Sequence, residues 1–141
     1  MKHCMLQGRP LLQYANKGEY TMTGILILAH GSRARETEKT LEQVVELVRA
    51  QMPGHILQIA YMEFGETNIA AGLSTLMEQG CSEVVVAPYF LFEGIHIRED
   101  IPREINAFCS EHPGVTVKIG KTLGADSRLA DILTDRIRES L

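Results

Sequence analysis

Two histidines and one glutamate stand where apolar runs stop. His30 follows "GILILA" (24–29), Glu63 closes "ILQIAYME" (56–63), and His96 lies in the loop after "EVVVAPYFL" (83–91). Imidazole and carboxylate together make a ligand set for a transition-metal ion, and imidazole suits cobalt, iron, nickel and zinc alike. Both rings must be neutral to bind metal, so a site built from them loses its ion as pH falls. The carboxylate has a second use, as a general base. Taken singly, a histidine at a strand end is most simply a hydrogen-bonded turn residue, and a glutamate there a solvated strand terminus. Their joint placement on three strand ends is the stronger signal.

Cationic side chains gather in the same places. Arg33 and Arg35 follow His30, and Arg98 and Arg103 follow His96. Exposed arginines are ordinarily solvated surface. Two pairs on neighbouring loops, beside two imidazoles, are suited to holding carboxylates through paired N–H donors. His3, His55 and His112 stand in no such company and read as turn or helix-end residues. Other site types do not fit. No G-x-G-x-x-G follows the first strand, so a dinucleotide fingerprint is absent. Ser32 is not in a G-x-S-x-G elbow. Histidine phosphatases also place His-Gly after their first strand, but they carry an arginine directly before the histidine, and here that residue is Ala29.

The elements that must position these groups alternate. Residues 24–29 form a continuous apolar run, the pattern of a strand covered on both faces. Leu41, Val44, Val45 and Val48 then share a helical face from about Thr37 to a stop at Pro53–Gly54. The strand 56–63 follows. Thr67 or Asn68 caps a second helix carrying Ile69, Leu73, Leu76 and Met77, with Gly80 at its end. The strand 83–91 precedes a third helix through Ile101, Ile105 and Phe108, with Pro102 tolerable in its first turn. A fourth strand spans 115–120, and Asp126 or Ser127 opens a last helix with Leu129, Ile132, Leu133 and Ile137. Four β-α units predict a three-layer α/β fold: a four-stranded parallel sheet with helices on both faces. Ligands of such folds bind outside the carboxyl ends of the strands, which is where His30, Glu63 and His96 fall.

Composition sets the bounds. The 141 residues suit one domain, with 45% hydrophobic and 23% charged residues. A net charge of −4 argues against a general nucleic-acid binder. The three cysteines, Cys4, Cys81 and Cys109, are too few and too scattered for a disulfide framework. No apolar run approaches a membrane span, and "MLQGRPLLQY" is too interrupted for a signal peptide. The cytoplasm is the expected compartment. Residues 1–23 follow neither period and read as a leader of doubtful structural role, with the domain occupying 24–141.

The combination of "LILAHGSR", "YME" and "VVVAPYFLFEGIHIREDIP" resembles the class II tetrapyrrole chelatases, and among them the short, single-lobe sirohydrochlorin chelatases of the CbiX and SirB type. The resemblance covers about Gly24 to Leu141. It implies insertion of a divalent metal ion into sirohydrochlorin, on the way to cobalamin or sirohaem, with Co²⁺ ahead of Fe²⁺ and Ni²⁺ also accepted. His30 and His96 match the two family histidines, and Glu63 the acidic residue that closes the second strand. The reaction needs a partly dehydrated ion presented to one face of a flat macrocycle and removal of two pyrrole N–H protons. His30 and His96 are suited to presentation, and Glu63 to proton removal or a third ligand position. Ser32, Arg33, Arg35 and Arg98, with the backbone N–H groups near Gly31, would meet the substrate's carboxylates. No cofactor beyond the substrate metal ion is required.

Many class II chelatases carry two lobes in one chain, so a single lobe implies a homodimer that supplies the second wall of the cleft. Phe90, Phe92 and Ile95 make the third loop apolar, fit either to stack on a macrocycle or to line a dimer interface. A non-catalytic metal- or tetrapyrrole-binding carrier on the same fold is the alternative reading. Turnover separates the two.

Overall fold

The computed structural model describes residues 12–14 and 20–141, with side chains given from Met22 onward except that of His96. Most of the leader (1–11 and 15–19), with His3 and Cys4, therefore lies outside the described residues.

Among the described residues the elements follow in the order β1 (Leu12–Tyr14), β2 (Tyr20–Ala29), α1 (Arg35–Gln51), β3 (Ile56–Tyr61), α2 (Ile69–Glu78), β4 (Cys81–Pro88), a π-helical turn (His96–Asp100), α3 (Ile101–Glu111), β5 (Thr116–Ile119) and α4 (Ser127–Ser140). Strand β2 is the centre of the sheet. It pairs in parallel with β3 on one side, from Gly24↔Ile56 to Ala29↔Tyr61. On its other side it pairs in parallel with β4, from Thr23↔Glu83 to Leu28↔Pro88. Strand β5 lies outside β4 in the same direction. The four-stranded parallel sheet read from the sequence is thus present, with one addition. The three residues of β1 run antiparallel to Tyr20–Met22, on the stretch of β2 that precedes its pairing with β3. This is why β2 starts at Tyr20, ahead of the apolar run at Gly24.

Successive residues of a strand point to opposite faces, and β2 builds both layers of the core in this way. Leu26 and Leu28 pack with Ala60, Val84 and Val86 against Ile69, Leu73 and Leu76 of α2 and Ile101, Ile105 and Phe108 of α3. Ile25, Ile27 and Ala29 pack with Leu57 against Leu41 and Val45 of α1. Helix α1 therefore covers one face, and α2 with α3 the other. A fully buried Leu or Ile contributes roughly 1.5–3 kcal/mol, and β2 supplies such residues to both core layers. Cys81 is buried in the larger core cluster and Cys109 packs at its edge, as small hydrophobes do.

The chain moves from β2 to β3 in one direction and then crosses back over β2 to reach β4. Strand order reverses between β2 and β4, and the loops leaving their carboxyl ends diverge there.

Helix α4 departs from the pattern. Its apolar residues share a face as the sequence indicates, yet none is buried: Ile132, Leu133 and Ile137 are 53%, 63% and 51% exposed. Its start is well made, with the Asp126 carboxylate accepting from the Arg128 N–H at 3.0 Å and pairing with the Arg128 guanidinium at 2.7 Å. That contact holds the Asp126 carboxyl well below the usual carboxylate range. Among the described residues, no helix is long and apolar enough to cross a membrane.

Candidate functional site

The β2 strand ends at Ala29, and His30 begins the turn into α1. Gly31 follows with φ +94°, and a Cβ there would collide with the Glu63 carbonyl oxygen. Only glycine allows both that backbone hand and that approach. The two loops are stitched together as a result. Met62 N–H donates to the Ala29 carbonyl at 3.0 Å, and Glu63 N–H donates to the His30 carbonyl at 2.9 Å. Ser32 serves the turn itself, its Oγ accepting from Ala34 N–H at 3.1 Å just before α1.

Beyond the end of β3 the chain makes a tight loop. Tyr61 N–H donates to the Thr67 carbonyl at 2.8 Å and closes its base, and Gly65 N–H donates to the Glu63 carbonyl at 2.8 Å across its tip. Phe64, between the two, has φ +59°. A three-residue turn with a positive central φ is the rare, strained form of the γ-turn. Strand β3 thus ends at Tyr61, two residues before Glu63, and the stitch to β2 rather than the strand itself orients Glu63.

The outcome is a pair. His30 Nε2 lies 3.8 Å from Glu63 Oε2, with the two side chains 58% and 54% exposed. Groups so placed on an open lip are within reach of one shared ion or one shared proton. Beside them runs an open cleft of about 470 Å³, between the strand ends and the first turns of α1, lined by His30, Gly31, Thr37, Thr40, Tyr61 and Tyr89 among others. Burial, reinforced by the Glu38 and Glu42 carboxylates, pushes the Tyr61 phenol above its usual value. It stays protonated there and remains a hydrogen-bond donor.

The third loop starts from Tyr89, whose N–H donates to the Leu28 carbonyl at 2.8 Å and holds it next to the end of β2. Leu91, Phe92 and Ile95 are all exposed on this loop. His96 opens the π-helical turn that leads into α3; its side chain lies outside the described residues. Among the described residues, no group of three or more His, Cys, Asp or Glu side chains is arranged to hold a metal ion. His30 and Glu63 are the part of the sequence-derived set that the described side chains bring together.

The arginines separate into two kinds. Arg98 Nε lies 3.9 Å from Glu93 Oε2, and Arg103 is bonded to Asp100 at 2.7 Å, so both serve local pairs. Arg35 is the first residue of α1 and is exposed. Arg33 places its guanidinium carbon 4.8 Å from the centre of the Phe64 ring, a cation–π contact. Tyr61, Phe64 and Tyr89 are the residues that sequence reasoning passed over. The aromatics flanking Glu63 in "YMEFG" were the available signal. His112 behaves as expected of a helix-end residue, stacked on Phe108 with Nδ1 2.9 Å from that residue's carbonyl.

The CbiX family model matches residues 24–140. The chain belongs to the CbiX family. Its CbiX relatives differ in length. The sirohydrochlorin ferrochelatase of Arabidopsis thaliana is 37% identical over 118 residues, which are 84% of this chain and 52% of that protein. The sirohydrochlorin cobaltochelatase of Sulfurisphaera tokodaii is 29% identical, with 85% of this chain and 95% of that protein aligned. This chain therefore spans about half the length of the ferrochelatase and nearly all of the cobaltochelatase. Among solved structures, a CbiX protein from Marinobacter aquaeolei VT8 superposes with a TM-score of 0.69 at 31% identity, covering 84% of this chain and 96% of that one. The sirohydrochlorin chelatase SirB of Bacillus subtilis subspecies spizizenii, solved in complex with cobalt, superposes with a TM-score of 0.78 at 26% identity. That match covers 83% of this chain and 50% of the other.

Proposed function

We propose that this CbiX-family chain is a sirohydrochlorin chelatase that inserts a divalent metal ion into the macrocycle, Co²⁺ first and Fe²⁺ second. The observation that carries the reading is the His30–Glu63 pair, 3.8 Å apart, with His30 lining an open cleft. Cobalt is placed first because the relative of matching length, from Sulfurisphaera tokodaii, is a cobaltochelatase. The ferrochelatase from Arabidopsis thaliana is about twice as long.

In this reading His30 and His96 present the ion with several of its coordination positions left to water, which keeps it exchangeable. Glu63 accepts the pyrrole protons. One M²⁺ enters, two N–H bonds break, and two protons leave, so charge balances without any redox step and without a resident cofactor. Ser32 and Arg33 on the turn after β2, Arg35 at the start of α1 and Arg98 in the π-helical turn would face the substrate's carboxylates.

A homodimer in the cytoplasm completes the reading. Two features support a second copy: the uncovered apolar stripe of α4 and the exposed Leu91, Phe92 and Ile95 on the lip. Soluble monomers rarely leave such patches bare.

The deciding experiment mixes catalytic amounts of protein with sirohydrochlorin and Co²⁺, Fe²⁺ or Ni²⁺ under anaerobic conditions and follows the macrocycle's absorption. Many turnovers per chain establish the chelatase. A change that stops at one equivalent would instead make the protein a carrier.

A further inference from the structure

We propose that Phe64 is a stacking platform for the flat face of the tetrapyrrole, and that its ring braces Arg33 to take one of the macrocycle's carboxylates. The inference rests on the chelatase reading and names two residues through which that site would bind its substrate.

Phe64 carries two costs at once. Its φ of +59° puts a bulky side chain in the left-handed region, a strained conformation that persists only where the surroundings impose it. The surroundings here are the stitches from Met62 and Glu63 to the β2 end and the Gly65–Glu63 hydrogen bond. Phe64 is also 57% exposed and belongs to neither core cluster. A glycine at this position would remove both costs without disturbing the core. An aromatic ring held in this way, directly after Glu63 in the chain, is explained by something that lies on it.

The neighbouring cation narrows what that is. The Arg33 guanidinium carbon lies 4.8 Å from the centre of the Phe64 ring, and a cation–π contact of this kind does not use up the guanidinium's N–H donors, two of which a carboxylate can take. With Arg33 in place more than half of Phe64 still meets solvent, so the ring has area left for a second flat partner. An aromatic surface beside a guanidinium matches a planar, conjugated ligand with acidic groups on its rim. That is the chemistry of sirohydrochlorin, and it leaves the His30–Glu63 pair beside the bound ring.

The test uses the full chain and the metal-free macrocycle, so binding is read apart from insertion. Sirohydrochlorin is titrated into the wild type, Phe64→Ala, Phe64→Gly and Phe64→Tyr, with the Kd taken from its absorption and Tm measured in parallel. Loss of the ring is expected to raise Kd about tenfold in the Ala and Gly variants, while Tyr stays within about twofold of wild type because it keeps the stacking face. Phe64→Gly should melt at or above the wild-type temperature, since glycine relieves the strained φ. Arg33→Ala should weaken binding less in the Phe64→Ala background than in the wild type, because the two act as a unit. Ala and Gly variants that bind like wild type would overturn the platform while the chelatase reading stands. A wild type that does not bind the macrocycle at all would overturn both.

Discussion

His30 Nε2 and Glu63 Oε2 lie 3.8 Å apart although they leave different strands. What holds them there is backbone: Glu63 N–H on the His30 carbonyl, and a glycine at position 31 that lets the two loops close up. The side chains themselves are exposed and make little of the fold.

Because the pair lies outside the core, its removal should cost activity and not stability. His30→Ala should lower the insertion rate by about a hundredfold or more, the usual scale for losing a positioned catalytic group, with Tm unchanged. Steady-state kinetics with Co²⁺ and a thermal melt check this together. A variant that inserts metal at the wild-type rate would remove His30 from the mechanism.

Glu63→Gln separates base from ligand. As a base, Glu63 gives a variant whose kcat falls by about 10²-fold while Co²⁺ binding, read by calorimetry, stays as in the wild type. A parallel loss of Co²⁺ affinity would make the carboxylate a ligand instead.

Gly31→Ala is the test of the stitch. The new Cβ meets the Glu63 carbonyl oxygen, and the φ of +94° disfavours any side chain. A loss of about 2 kcal/mol or more in urea denaturation is expected, together with reduced insertion as Glu63 moves away from His30. Wild-type stability and activity in this variant would show the two loops to be independent.

Away from the site, Asn68 caps α2 by accepting from Ala71 N–H at 2.9 Å. Asn68→Ala should lower stability by about 1 kcal/mol and leave kcat and KM alone. Denaturant midpoints give the first quantity and kinetics the second.

The apolar stripe of α4 predicts self-association. Ile132→Glu with Ile137→Glu changes residues exposed on the single lobe, so the lobe should keep its secondary structure by circular dichroism while sedimentation velocity shows a dimer becoming a monomer. A wild type that sediments as a monomer at assay concentration would end the homodimer reading.

The sequence by itself determined the layered α/β architecture, because continuous apolar runs and helical stripes alternate without ambiguity. It also set His30 and Glu63 just past the ends of two apolar runs, where polarity changes abruptly, and His96 in the loop that follows the third. Three features were decided only by the tertiary structure. The distance between His30 and Glu63 depends on β3 lying beside β2 in one register, and strand order is not encoded in any local window. The left-handed Phe64 is imposed by hydrogen bonds from β2 across to the loop after β3, against its own local preference. The stripe on α4 shows where periodicity ends as a guide: Ile132, Leu133 and Ile137 share a face as surely as the buried residues of α1 do, yet they remain exposed. Spacing says which side chains share a face. Only the arrangement of the whole chain says what covers it.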